Sequence, residues 1–273
     1  MVSLVYGLSQ AASKGWGNFA TYKFFIVAAV LLVAFIYIES KVANPLLPLR
    51  VLTERNRGGS YVGGLLVGTG LFAMFLFLSI YLQSFLHYSS LRSGFAFLPF
   101  SAGVIVFTGV ASQLLPKVGP RPLMVTGLTA GAIGLLLLSR ITPTSSYTTH
   151  VLPALIVMST GLALFFIPSA STGLHNSGGH DAGVAGAVLN TSQQIGGSLG
   201  AALLNTVAIS SASSYAASHA SLGAKVQVAA QVHGFSTTFI YGAGFMILAA
   251  IVSFFCINVG KDSLVESETG VAL

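Results

Sequence analysis

Seven apolar stretches, each long enough to cross a bilayer, fill nearly all of this sequence after residue 21, and no Asp, Glu, Lys or Arg lies in their interiors. They are Tyr22–Ile38, Ser60–Gln83, Gly94–Leu115, Pro122–Ser139, Val151–Thr172, Gly183–Ser210 and Ser236–Val259. A hydrocarbon core about 30 Å thick takes roughly 20 apolar residues of helix, because every backbone polar group must find its partner within the segment. The pattern therefore predicts an all-α polytopic membrane protein. With 54% hydrophobic and 7% charged residues, the chain has too few charges to cover a water-soluble domain.

Charge excludes several function classes. The net charge of +6 comes from twelve Lys and Arg scattered over loops and span ends, with no basic stripe for nucleic acid. The one cysteine, Cys256, lies inside the last span, where packing is the expected role. The six histidines all fall in loops or at span ends, and no His/Cys cluster has metal spacing. No lysine sits mid-span to carry a retinal Schiff base, and no nucleophile–base constellation is visible, so neither an enzyme nor a cofactor is expected.

Lys and Arg in short loops set orientation. The densest group is Lys41, Arg50, Arg55 and Arg57 after the first span, which places that connector in the cytoplasm. The loop with Lys117, Gly119 and Arg121 and the tail after Val259 then share its side. Residues 41–59 form a break between units, since Pro45 and Pro48 interrupt helix. The expected organisation is an outer connector at 1–21, a single helix at 22–40, the connector at 41–59, a six-helix bundle at 60–259 and a tail at 260–273. Met1–Leu8 reads as the last two turns of a helix, and the expectation is that its beginning lies upstream, the alternative being a segment resting at the membrane interface. The Ala- and Ser-rich stretch Ser211–Gly234 is expected as an outer loop containing a surface helix. Six spans are compatible with an inverted three-plus-three repeat.

Two features inside the spans point to function. Glycines recur at four-residue spacing (Gly64 and Gly68, Gly127 and Gly131, Gly196 and Gly200), the arrangement that lets helix backbones approach closely. The sixth span carries five consecutive polar residues, Asn190 to Gln194, which are costly against lipid. Helical spacing puts Gly186, Asn190, Gln194, Gly197 and Ala201 on one face, with Gln193, Gly196 and Gly200 beside it. Interhelical hydrogen bonding and the lining of a central cavity both account for such a run. Asn190, Gln193 and Gln194 are the main cavity-lining candidates, with Tyr81 and Gln83 behind them.

The loop Pro116-Lys117-Val118-Gly119-Pro120-Arg121 resembles the glycine- and arginine-rich loop of the major facilitator superfamily, with Pro116 standing where that loop has an acid. Asn44-Pro45-Leu46-Leu47-Pro48-Leu49, Arg92-Ser93-Gly94 with Leu98-Pro99, and Asp181-Ala182-Gly183 followed by Asn190–Gly197 are similar, in the same order, to the carboxy-terminal part of the fourteen-span drug:proton antiporters. The resemblance implies a second-half six-helix bundle preceded by a linker span and a truncated span, in a bacterial cell membrane. It implies proton-coupled efflux of hydrophobic or amphiphilic small molecules by alternating access. Its partners would be the lipid bilayer, a small-molecule substrate and an amino-terminal six-helix half, because the acid, arginine and proline–glycine motif of that half have no counterpart here. A non-transporting remnant or a seven-helix sensor or scaffold is the alternative.

Overall fold

A computed structural model describes residues 19–42, 54–174, 179–219 and 225–259, together with residues 3, 6, 7 and 10. The proline connector after Val42, His175, the side chains of His180 and Asp181, and the tail after Val259 lie outside the described residues. The helices are α1 (Phe19–Lys41), α2 (Arg55–Ser84), α3 (Ser90–Ala96), α4 (Leu98–Val118), α5 (Pro120–Leu138), α6 (Leu152–Gly173), α7 (Gly179–Ser218) and α8 (Lys225–Cys256), with a π-helical turn at Tyr147–Val151 entering α6. Seven of the described helical segments are long and apolar enough to cross a membrane, α3 and α4 counting together as one.

Local chemistry explains the boundaries. Glu54 caps α2 by accepting hydrogen bonds from the amides of Asn56 and Arg57 at 3.1 and 2.8 Å. Partial burial opposes its charge, but those bonds and one from the Asn56 side chain outweigh it and hold the carboxyl below its ordinary value. The α3–α4 span breaks at Phe97, because Pro99 has no amide to donate and its ring crowds the carbonyl four residues back. Gly119, at a φ of 85°, alone separates α4 from α5, so the expected cytoplasmic loop is a one-residue hinge. Pro120 follows at the start of α5, a position that needs no amide donor.

The stretch Ser211–Gly234 departs from expectation. Instead of a surface helix, α7 runs on through Ser218 and α8 starts at Lys225. At 40 residues, α7 is about 60 Å long, twice the hydrocarbon thickness. Alanine and serine, with little side-chain entropy to lose, continue the helix beyond the apolar segment at small cost.

Six helices form the bundle. The major packings are α5 on α6, α2 on α7, α2 on α8, α5 on α8, α7 on α8 and α4 on α6, with a lighter contact between α2 and α6. Exchanging α2 for α6, α4 for α7 and α5 for α8 leaves this pattern nearly unchanged. It breaks at one place, where α7 and α8 pack closely but α4 and α5 barely touch. The bundle is therefore two three-helix units, and an odd number of spans per unit inserts the second upside down relative to the first. The core lies between α2, α5, α6 and α8, built on buried Met74, Phe77, Leu128, Leu135, Met158 and Phe239. Helix α1 stands outside these packings; its described side chains are exposed except for buried Ala28 and Glu39 and half-buried Phe24 and Phe25.

A candidate substrate groove between two helices

The glycine pairs of the second and sixth spans meet at a single crossing. A Cβ added at Gly68 would run into the backbone carbonyl of Gln193, one at Gly196 into that of Leu65, and one at Gly200 would lie 2.8 Å from the Cα of Thr69. A Cβ at Gly64 would lie 3.3 Å from Cγ of the Gln193 side chain. Only hydrogen fits at such separations, so α2 and α7 touch backbone to backbone. Thr69 Oγ1 reaches the Gly196 carbonyl at 2.9 Å and the Leu65 carbonyl of its own helix at 3.2 Å. One hydroxyl proton thus serves the crossing.

Beside the crossing lies a groove of about 440 Å³. Helix α7 contributes Asn190, Gln193, Gln194, Gly197 and Ser198, and α2 contributes Gly68, Leu71, Phe72 and Phe75. Phe75 extends the aromatic wall toward α4, with ring centroids 5.3 Å from Phe97 and 5.4 Å from Phe100. The α7 wall is an amide ladder only partly committed to its own helix. The Asn190 side chain donates to the Gly186 carbonyl at 3.2 Å, and Ser198 donates to the Gln194 carbonyl at 3.0 Å. Asn190 and Gln194 are exposed, and Gln193 is half-buried. An uncharged surface with amide donors and acceptors on one side and aromatic rings on the other suits an amphiphilic molecule. None of the described residues lining it is titratable.

The two weaker candidates separate. Tyr81 does not line the groove: it is fully buried, donates to the Thr142 carbonyl at 2.7 Å and stacks on Phe85, tying α2 to the loop before α6. Gln83 is exposed and donates to Ser79 at 3.1 Å, continuing the α2 stripe of Phe72 and Phe75 beyond the groove. Gly127 and Gly131 belong to the α5–α6 contact, where a Cβ at Gly161 would strike the carbonyl of Gly127 and the amide of Gly131. Lys117 lies in the last turn of α4, and the Arg121 guanidinium lies 4.2 Å above the ring of Phe254.

Sequence reasoning missed Thr69, Gly161, Phe72 and Phe75. A signal for the first two is present: Thr69-Gly70-Leu71 recurs as Thr160-Gly161-Leu162 in the repeat-related helix. Both central glycines face the third helix of a unit, since a Cβ at Gly70 would approach Met246 and Gly242 of α8 as one at Gly161 approaches α5.

Comparison with known proteins agrees with this architecture. The sequence profile of the Major Facilitator Superfamily matches residues 4–201. The puromycin resistance protein of Streptomyces alboniger is 39% identical over 275 residues, covering all of this chain and 54% of that protein. The cephamycin export protein of Amycolatopsis lactamdurans is 33% identical over 206 residues, 75% of this chain and 42% of its own length. The tetracenomycin C resistance and export protein of Streptomyces glaucescens is 29% identical, over 76% of this chain and 38% of that protein. The chain thus spans about half or less of the length of these relatives.

Proposed function

This chain belongs to the Major Facilitator Superfamily, and we propose that its six-helix bundle is the second half of an exporter of hydrophobic or amphiphilic small molecules. The family is one of transporters, not enzymes. Seven spans and bacterial relatives make the chain a multi-pass integral protein of the bacterial cell membrane. The observation that carries the proposal is the groove: amides of Asn190, Gln193 and Gln194 opposite Phe72 and Phe75, open at the side of the bundle. Exposed amides facing hydrocarbon are costly, so a facing bundle and a substrate are the natural occupants of that side. Alternating access then consists of two bundles rocking about this groove.

Proton coupling is part of the proposal and is assigned elsewhere. Apart from Asp181 in the first turn of α7, the bundle helices contain no Asp or Glu, and a proton gradient acts only through a group that titrates in the membrane. We therefore assign the coupling acid to an amino-terminal six-span half, supplied as a fused segment or a separate polypeptide, with a second copy of this chain as the alternative partner. The linker span at 22–40 and a cytoplasmic connector at 41–59 are assigned to joining the halves.

The test is flux. Proteoliposomes holding the 273-residue chain, given a pH gradient and a lipophilic fluorescent cation, are expected to show none. Gradient-driven accumulation is expected when an upstream six-span segment is co-expressed. Accumulation by the chain alone would overturn the two-half reading, and silence in both arms would favour a scaffold.

A further inference from the structure

We propose that the end of the bundle where α2 and α5 begin and α8 finishes is a binding site for the headgroup of an anionic phospholipid, held by Arg55 and Arg121. The inference is independent of the transport reading.

Three helix ends converge there. Arg55 donates through Nη2 to the Phe255 carbonyl, Asn56 accepts from the Asn258 amide at 2.7 Å, and Gly59 lies against Cys256. Arg121 stacks on Phe254, and the rings of Phe254 and Phe255 meet at 5.3 Å. The two guanidiniums are thus fixed to consecutive residues of one helix. The two phenyl rings are 48% and 64% exposed, so they face lipid in a membrane.

The chemistry left over calls for an anion. A guanidinium has five N–H donors in its plane. Stacking on Phe254 uses the face of Arg121 and leaves its edge free, while Arg55 spends one donor on a carbonyl. Neither has a carboxylate partner among the described residues. The nearest acid in sequence, Glu54, has both oxygens engaged in capping α2. Planar donor forks match a phosphodiester. Exposed Phe rings beside cations at a helix end, at the level where spans leave the hydrocarbon, match the headgroup and upper acyl region of one lipid. The lipid's phosphate bridges the two guanidiniums, and its chains lie over Phe254 and Phe255.

The experiment titrates the full chain in detergent with phosphatidylglycerol or phosphatidylcholine and reads bound lipid by native mass spectrometry. Phosphatidylglycerol is expected to bind in preference. The R55Q/R121Q variant should bind it about 25-fold more weakly, at about fivefold per guanidinium. K23Q/R92Q, which removes two cations elsewhere, should bind like wild type. If R55Q/R121Q does not fold, salt decides: the wild-type preference must fall as ionic strength rises. Equal binding of the two lipids, an equal loss in K23Q/R92Q, or a salt-insensitive preference would overturn the site. So would displacement by millimolar inorganic phosphate, the mark of a simple ion site. Preference appearing only after removal of residues 261–273 would overturn it too, by assigning the arginines to the acidic tail.

Discussion

Helices α7 and α4 occupy equivalent places in the two halves of the repeat, yet they meet their partners differently. Helix α7 crosses α2 at Gly68, Gly196 and Gly200, backbone against backbone, and turns Asn190 and Gln194 outward beside the contact. Helix α4 crosses α6 through Gly103 against the side chain of Ser159 and presents Ile105, 74% exposed, and Val106 to its outer side. The same topology thus yields one crossing made backbone to backbone with amides beside it, and another made against a side chain with an apolar outer face. An apolar outer face needs only lipid. An amide-rich one is stable only against protein, water or substrate, so the groove belongs to α7 and not to its counterpart.

The comparison breaks first at the glycines. Gly196→Leu should overfill the α2–α7 crossing against a backbone carbonyl that cannot rotate away, costing more than about 3 kcal/mol and abolishing folded expression. Gly103→Leu should cost less, because no backbone atom stands in the way: the Ser159 hydroxyl can rotate, and only its Cβ, 2.8 Å from the added Cβ, has to shift. Equal thermal destabilisation of the two variants in detergent would dissolve the distinction between the crossings.

The next largest effect is on transport. Asn190→Leu/Gln194→Leu, made in a transporter carrying both halves, should leave expression and melting temperature near wild type and lower substrate flux about tenfold or more, in line with about 1.4 kcal/mol or more of lost recognition. Ile105→Ala on the counterpart helix should leave flux unchanged. Parity between these two variants would remove the groove from the mechanism.

Helix entry gives a smaller contrast. Glu54 caps α2, whereas α6 begins at a π-helical turn with no side-chain cap. Glu54→Ala should destabilise the bundle by about 1 kcal/mol at neutral pH. The carboxyl sits below its ordinary value in the fold, so its contribution is complete above the unfolded carboxylate range and is lost as pH falls through the folded value. Melting curves of variant and wild type should therefore converge in acid; a gap constant with pH would deny the charge a role.

Smallest is Thr69→Val, which keeps the shape of the crossing and removes the hydroxyl bond to Gly196. The expected loss is about 0.6 kcal/mol in detergent unfolding, the average for hydrogen bonds between membrane helices. No change would mean that close packing alone sets the α2–α7 distance.

Spans were legible because hydrocarbon imposes a length and a composition on any helix that crosses it. The meeting of Gly64 and Gly68 with Gly196 and Gly200 was half legible. Spacing marked each pair as an interface, but the residues that these glycines meet (Gln193, Leu65 and Thr69) lie on a helix distant in the chain, and small residues carry no address. Tyr81 shows the opposite failure. A polar tip at a span end reads as cavity lining, and only the loop folding back placed the Thr142 carbonyl within its reach. Phe72 and Phe75 were hidden because an aromatic residue in a span looks alike in a core, against lipid and beside a substrate.

The sequence by itself determined that this chain is a membrane bundle, which segments are long and apolar enough to cross, and which helix carries the amides. Backbone polarity and bilayer thickness leave no other solution for such a composition. Only the tertiary structure decided which helices pair and that the six form two inverted threes. It also decided that the amides stand opposite Phe72 and Phe75 with the glycine crossing as their floor. Those facts depend on shape complementarity between distant segments, and inside a membrane, where burial from water does not separate one helix face from another, close packing is what selects the partner.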